Sequence, residues 1–429
     1  MPSRDDILAL DRRHVWRPYT SHEDHAERDP IVVAHAEGAW LTDVDGRRYL
    51  DGVGSWWTNN LGHRHPRLAR VIREQTETLL HSPLADATHA EAALCAEALV
   101  NVAPRGLDRV FFSDDGSTGV EVALKIAHQY WHQNGRPERT RFVSFGGAYH
   151  GDTLGAMAVG GVESFRSAFG PLLFEAIHVD PPAPAEAWSR AAESLRARLK
   201  ADGDRIAAVI VEPLVQGAAG MRMWPAELLR EVRAITREAD VFLLADEVFT
   251  GFGRTGSFWA VDQADVVPDL LVTAKGLSGG ILPFAATLAT ERIYEGFRGG
   301  KARALLHGHT FCGNPLGARI AREVLAVYRD ENVLEGIPER TARIRRAFES
   351  LPGARTPRAL GMIGAADLGA GDYFAAAGRR VADEARRRGA YLRPLGDVVY
   401  VAPPLNISIP DLEKLLEILR DSVAAAASS

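Results

Sequence analysis

Apolar and polar positions along this chain alternate between two periods. Short uninterrupted apolar runs of four to six residues are separated by stretches with helical spacing. Arg109–Ser113, Arg141–Phe145, Ala207–Val211, Val241–Ala245 and Leu270–Ala274 read as strands, and Thr118–His132 reads as a helix through Val122, Ile126 and Tyr130. Runs with no polar alternation mark strands covered on both faces, so the pattern predicts a mainly parallel sheet clothed by helices. Before it, Ala39–Asp43 and Arg48–Asp51 flank Asp45-Gly46, a hairpin signal. After it, a helix from Leu316 to Tyr328 opens a segment of shorter elements. The expected division is an N-terminal segment, 1–70, joining a small α+β domain completed by 312–429, and a large α/β domain over 71–311. Pro181–Ala187 reads as a surface connection and Ala424–Ser429 as a fraying end.

Two of the predicted strands end in charge. Val241–Ala245 runs into Asp246-Glu247, and Leu270–Ala274 runs into Lys275-Gly276. Ligands of parallel α/β sheets lie beyond the carboxyl ends of the strands. A carboxylate and an amine fixed there suit pyridoxal phosphate, whose ring nitrogen takes an anionic partner and whose aldehyde takes a lysine. Each could equally be a surface charge at a strand end. Asp114-Asp115-Gly116-Ser117-Thr118-Gly119 follows a strand and opens a helix, which suits a phosphate at free helix amides or, more simply, a capped turn. Tyr149 in Tyr149-His150-Gly151-Asp152 can stack on a ring or pack beneath its own loop. His150, a loop histidine with no evident partner, reads as structural. Glu212 ends a strand before Pro213 and is a second-rank candidate. Gly251, Gly253 and Gly256 match a dinucleotide fingerprint only formally, since no helix pattern opens there.

Aromatic residues gather near the start of the chain: Trp16, Tyr19, Trp56 and Trp57. Adjacent tryptophans on an extended chain face opposite ways, so one is expected in the core and the other along a pocket. Arg393 precedes Pro394, which favours extended backbone, and can fork onto a substrate carboxylate or form a surface ion pair.

Composition narrows the field. The chain has 429 residues, 46% apolar and 25% charged, as in ordinary globular proteins. A net charge of −6 gives no support for a nucleic-acid or anionic-membrane partner. Cys95 and Cys312 are too few and too far apart for a disulfide framework or a zinc site. No signal-peptide pattern and no run near the roughly 20 apolar residues of a membrane span is seen, so a cytoplasmic enzyme without a metal is expected.

With these motifs assembled, the chain resembles the class III, fold-type I pyridoxal-phosphate aminotransferases over nearly its full length. Trp16-Arg-Pro-Tyr19-Thr, Gly54-Ser-Trp56-Trp57, Ala127-His-Gln-Tyr-Trp131, Val215-Gln-Gly-Ala-Ala-Gly-Met-Arg-Met and Arg393-Pro-Leu carry the resemblance. The tryptophan and tyrosine motifs point more narrowly to the biotin-pathway members that aminate 8-amino-7-oxononanoate. The resemblance implies a mostly parallel seven-stranded sheet in the large domain and active sites shared within a homodimer. It implies Lys275 as the Schiff-base lysine and catalytic residue, with Tyr19 beside it. Gly116, Ser117, Tyr149, Asp246, His309 and Thr310 would hold the cofactor, Thr310 from the other subunit. Tyr19, Trp56, Tyr149, Gly308 and Arg393 would meet the substrate. S-adenosylmethionine is the first expected amino donor. His309 stands where proline is expected, and His81–Asp86 lacks a Gly-Gly, which keeps lysine open as the alternative donor. A generic ω-amino-acid transaminase and an aminomutase of the glutamate-1-semialdehyde type share the cofactor motifs without needing the aromatics.

Overall fold

A computed structural model describes residues 2–184, 187–371 and 373–427. The first strands are β1 (Val33–Glu37), β2 (Trp40–Asp43) and β3 (Arg48–Asp51), the last two forming the predicted hairpin. The large sheet follows, from β4 (Leu107–Ser113), β5 (Arg141–Phe145), β6 (Ile177–Val179) and β7 (Ile206–Val211). A short pair, β8 (Val215–Gln216) and β9 (Arg222–Met223), intervenes before β10 (Phe242–Asp246), β11 (Leu270–Thr273) and β12 (Ala285–Thr290). The C-terminal part carries β13 (Arg355–Leu360), β14 (Ile363–Asp367), β15 (Ala390–Tyr391) and β16 (Val398–Val401).

The large sheet has seven strands in the order β4-β12-β11-β10-β7-β5-β6. Every residue of β7, β10 and β11 is buried, as expected of central strands covered on both faces. β12 runs antiparallel to both its neighbours, β11 and β4. It is absent from the sequence reading because Ala285-Ala-Thr-Leu-Ala-Thr290 has weak intrinsic strand preference; pairing on both edges fixes it. The helix Gly116–Gln133 packs on this sheet through Val122, Leu124 and Ile126.

A second sheet, β1-β2-β3-β15, joins the beginning of the chain to its end. β15 pairs parallel to β3, with Ala390 opposite Leu50 and Tyr391 opposite Asp51. This register brings the segment after Asp51, which holds Trp56 and Trp57, beside the segment after Tyr391, which holds Arg393. A third sheet, β13-β14-β16, lies in the C-terminal part.

The helix expected over Leu316–Tyr328 spans Pro315–Asp330, started by Asn314, whose side chain accepts the Gly317 amide, and by proline in the first turn. The Pro181–Ala187 stretch is not wholly superficial. Pro182 and Ala183 are buried, while Ala185 and Glu186 lie outside the described residues. The last helix, Ile409–Ala427, continues through the expected frayed end, with Ser428 and Ser429 outside the described residues. Leu412, Leu415 and Leu419 of that helix are buried, which holds it to the body of the protein. Cys95 is buried, Cys312 half-buried, and both are free thiols. Among the described residues no helix is long and apolar enough to cross a membrane, and no cluster of three or more His, Cys, Asp or Glu could hold a metal.

Candidate active site

Three central strands deliver ionisable side chains to one edge. β10 ends at Asp246, β7 is followed by Glu212, and Lys275 comes two residues after β11. All three line a cavity of about 730 Å³, with Gly116, Ser117 and Tyr149. Asp246 is buried; Oδ1 accepts the Val248 amide at 3.1 Å and Oδ2 accepts His150 Nδ1 at 2.8 Å. The loop histidine read as partnerless therefore has a partner, one far away in sequence. Its side chain is wholly buried, and its Nε2 has no hydrogen-bond partner.

Lys275 sits in left-handed backbone, φ 45°, a conformation a non-glycine residue holds only when its surroundings impose it. Burial pushes its amine below the ordinary lysine range, while Asp246 and Glu212 pull the other way. The balance favours an amine that loses its proton more readily than a surface lysine. Glu212 accepts the amides of Tyr149 at 2.9 Å and Gly217 at 3.0 Å. Burial first, and then the Asp246 charge, push its carboxyl up to about 8. It anchors the Tyr149 loop to the sheet, a task that strand-end position alone does not reveal.

The opposite end of the cavity is the start of the helix Gly116–Gln133. Asp115 caps it, accepting the Thr118 amide at 2.9 Å, while the Thr118 hydroxyl accepts the Asp115 amide at 3.0 Å. The amides of Gly116 and Ser117, at the first two helical positions, have no intrahelical acceptor and are available to an anion. Ser117 Oγ accepts the Thr153 amide at 2.9 Å. A Cβ at Gly116 would lie 2.6 Å from Val248, and one at Gly151 would lie 2.3 Å from Ser117 Oγ. Neither position has room for a side chain.

Tyr149 and Tyr19 meet on one carboxylate: their hydroxyls donate to Asp152 Oδ2 at 3.0 and 2.7 Å. Burial and that carboxylate raise the pKa of both phenols, so both remain protonated donors. Asp152 stands inside the sequence motif that contains Tyr149, yet only the fold shows it to be the link to Tyr19.

The tryptophan pair differs from the extended chain expected. Ser55, Trp56 and Trp57 all have positive φ, 46°, 68° and 71°, a left-handed turn that costs about 1–2 kcal/mol per residue. The turn still divides the rings. Trp57 is buried, donates Nε1 to the Tyr400 hydroxyl at 3.0 Å, and has its ring centroid 5.1 Å from Lys275 Nζ. Trp56, Tyr19 and Arg393 lie outside the cavity lining, joined to it through the Tyr19–Asp152 bond; the Arg393 guanidinium is 3.7 Å over the Trp56 ring and Tyr19 is edge-on to that ring at 5.9 Å. Arg393 forms no ion pair among the described residues, and its guanidinium stacks over Trp56. Phe165 at 5.6 Å and Tyr373 at 6.4 Å complete the aromatic surround of Tyr19; neither belongs to a recognisable motif. Gly308, His309 and Thr310 do not line the cavity. His309 Nδ1 lies 3.5 Å from Asp114 Oδ2 and its amide donates to Cys312 Sγ. Gly251–Gly256 opens no helix, and Arg254 within it is buried on Asn60 and Pro403.

The class III aminotransferase family model matches residues 21–423, and the chain belongs to that family. Its relatives are more specific. The adenosylmethionine-8-amino-7-oxononanoate aminotransferase of Geobacter sulfurreducens is 38% identical, covering 99% of each chain. The crystal structure of the enzyme of that name from Methanocaldococcus jannaschii superposes with a TM-score of 0.94 at 35% identity, covering 99% of each. An amine transaminase from an uncultivated Pseudomonas species, solved in its PLP-bound form, gives 0.92 at 31% identity over 96% of this chain and 99% of that one.

Class III aminotransferases use pyridoxal phosphate, and this cavity fits it. A buried carboxylate, a buried amine and a helix start without room for side chains match, in turn, a pyridine nitrogen, an aldehyde and a phosphate.

Proposed function

We propose that this protein transfers an amine to the ketone carbon of 8-amino-7-oxononanoate, giving 7,8-diaminononanoate, with S-adenosylmethionine as donor. Bound pyridoxal phosphate supplies the electron sink and amine carrier that side chains lack. Gly116 and Ser117 hold its phosphate, Asp246 its ring nitrogen, Tyr149 its ring face and Lys275 its aldehyde. When a substrate amine takes its place on the aldehyde, Lys275 Nζ would be free to take and return the proton at the carbon that exchanges its amine, a role suited to an amine whose pKa burial has lowered. Tyr19 and Trp56 flank the aliphatic chain of the acceptor, and Arg393 receives its distal carboxylate.

One observation carries this reading: a guanidinium with no ion pair among the described residues, 3.7 Å over a tryptophan ring beside the cavity. A long apolar chain ending in a carboxylate is the ligand that uses both features. The names of the Geobacter and Methanocaldococcus relatives support the same acceptor. The working unit is a homodimer in which Gly308, His309 and Thr310 of each copy complete the other's site.

The test is a donor–acceptor matrix followed by mass spectrometry. With 8-amino-7-oxononanoate present, 7,8-diaminononanoate forms when S-adenosylmethionine is supplied. Formation with lysine alone would replace the donor and keep the acceptor. No product from that ketone with either donor would overturn the reading.

A further inference from the structure

The most strained segment of the site is the turn over residues 54–57, four consecutive positive φ angles of 53°, 46°, 68° and 71°. Its own backbone bonds, from Thr58 and Asn59 to the Gly54 carbonyl and from Trp57 to that of Val53, close the turn around Ser55 without contacting it. Ser55 is tied by the Thr58 hydroxyl, which donates to its carbonyl at 3.1 Å, and more extensively by a buried carboxylate. Asp51, the last residue of β3, is completely buried and does not line the cavity. Its Oδ1 accepts the amides of Val53 at 3.3 Å and Ser55 at 3.0 Å. Its Oδ2 accepts Ser55 Oγ at 2.7 Å and His63 Nε2 at 2.9 Å. His63 is itself fixed by two backbone bonds to Gly38, and Asp51 by its pairing with Tyr391.

Taken together, the geometry points to Asp51, braced by His63, as a positioning residue for acceptor recognition: it holds Ser55 left-handed and so lays Trp56 beneath Arg393. This inference rests on the acceptor assignment above. A residue with a Cβ drifts from φ 46° unless held, because the side chain crowds the following carbonyl. Once Ser55 relaxes, Trp56 leaves Arg393 and the wall for the aliphatic chain is lost. Asp51 touches neither the cavity nor Lys275, and Trp57, the residue of the turn that lines the cavity, is held separately by its bond to the Tyr400 hydroxyl, so cofactor affinity changes less than acceptor recognition.

The test uses holoenzyme and four variants: Asp51→Asn, Ser55→Ala, Ser55→Gly and the double variant Asp51→Asn/Ser55→Gly. Acceptor KM, cofactor dissociation constant and near-ultraviolet circular dichroism of the tryptophans are measured for each. Asp51→Asn raises the acceptor KM about tenfold, what the loss of a bond to a charged group amounts to at its low end. Its cofactor affinity changes by a smaller factor than KM, and its tryptophan signal is altered. Ser55→Ala raises KM by a smaller factor, because it loses the hydroxyl and keeps the strain. Ser55→Gly stays near wild type, because glycine takes the left-handed backbone freely. The double variant recovers most of the KM lost in Asp51→Asn.

The inference is overturned if Asp51→Asn changes neither KM nor the tryptophan signal, if glycine at 55 gives no rescue, or if cofactor affinity falls in step with KM. Should Asp51→Asn not fold, the two Ser55 variants decide, and alanine no worse than glycine overturns it. Should wild-type enzyme refuse this ketone, the acceptor assignment fails, and the tryptophan spectra of the same variants still decide the clamp.

Discussion

The two halves of the site, the cavity itself and the aromatic cluster beside it, are built differently. The inner half, Asp246, Glu212 and Lys275, stands on the ends of central strands whose residues are all buried. The outer half, Tyr19, Trp56 and Arg393, stands on connecting segments from the two ends of the chain, joined through the β3–β15 pairing. The inner half tunes ionisable groups by burying them, and the outer half positions aromatic surface by straining a turn. The ionisable groups are thus rooted in the rigid sheet, and the aromatic surface in loops that can vary without disturbing it.

This contrast predicts effects that separate in size and kind. Lys275→Ala falls entirely on the inner half. Turnover drops at least about 10³-fold, as for removal of a residue that both anchors and moves protons, with unchanged far-ultraviolet circular dichroism. Residual turnover within tenfold of wild type would remove Lys275 from the chemistry. Asp246→Asn weakens cofactor binding and turnover together, each by about 10-fold to 100-fold, the worth of a hydrogen bond to a charged group. A loss in acceptor KM alone would move Asp246 to the outer half. Arg393→Ala does the reverse. It raises KM for the keto acid about 10-fold to 100-fold and leaves small uncharged aldehydes unaffected, since only the carboxylate contact is lost. An equal loss for both acceptors would erase the division.

The mildest effect concerns pH. Glu212 titrates near 8 when folded against an ordinary value of 4.5, so the folded chain holds a proton that the unfolded chain has released between those values. Stability therefore declines as pH rises from 4.5 to about 8. Glu247, pushed up to about 7 by burial, adds a decline of the same sign. Glu212→Gln flattens the slope of midpoint against pH in urea unfolding and leaves the Glu247 share. An unchanged slope would show that Glu212 does not carry this proton.

The inner half was legible in the sequence because its signals are local. Apolar runs ending in Asp246 and Lys275 announce both strand and site, and Gly116-Ser117 announces a helix start. The outer half was legible as separate candidates, a pocket tryptophan and an arginine before proline, and only the resemblance joined them, since Tyr19, Trp56 and Arg393 meet through long-range strand pairing. What neither route revealed depends on contacts remote in sequence. Examples are His150 on Asp246, Asp152 shared by two tyrosines, and Asp51 gripping a turn that the reading took as extended chain. β12 escaped for the complementary reason: alanine and threonine carry little strand signal until neighbours pair with them on both sides.

The central claim is that one site joins general aminotransfer chemistry to recognition of a long keto acid. The most direct measurement is a single turnover: enzyme loaded with the amine form of its cofactor is mixed with 8-amino-7-oxononanoate, and the cofactor absorbance is followed in wild type and Arg393→Ala. The account predicts rapid return of the aldehyde form with 7,8-diaminononanoate in wild type, and the same change in the variant only at much higher ketone concentration. Return with small aldehydes but not with this ketone, at equal rates in both proteins, would contradict it.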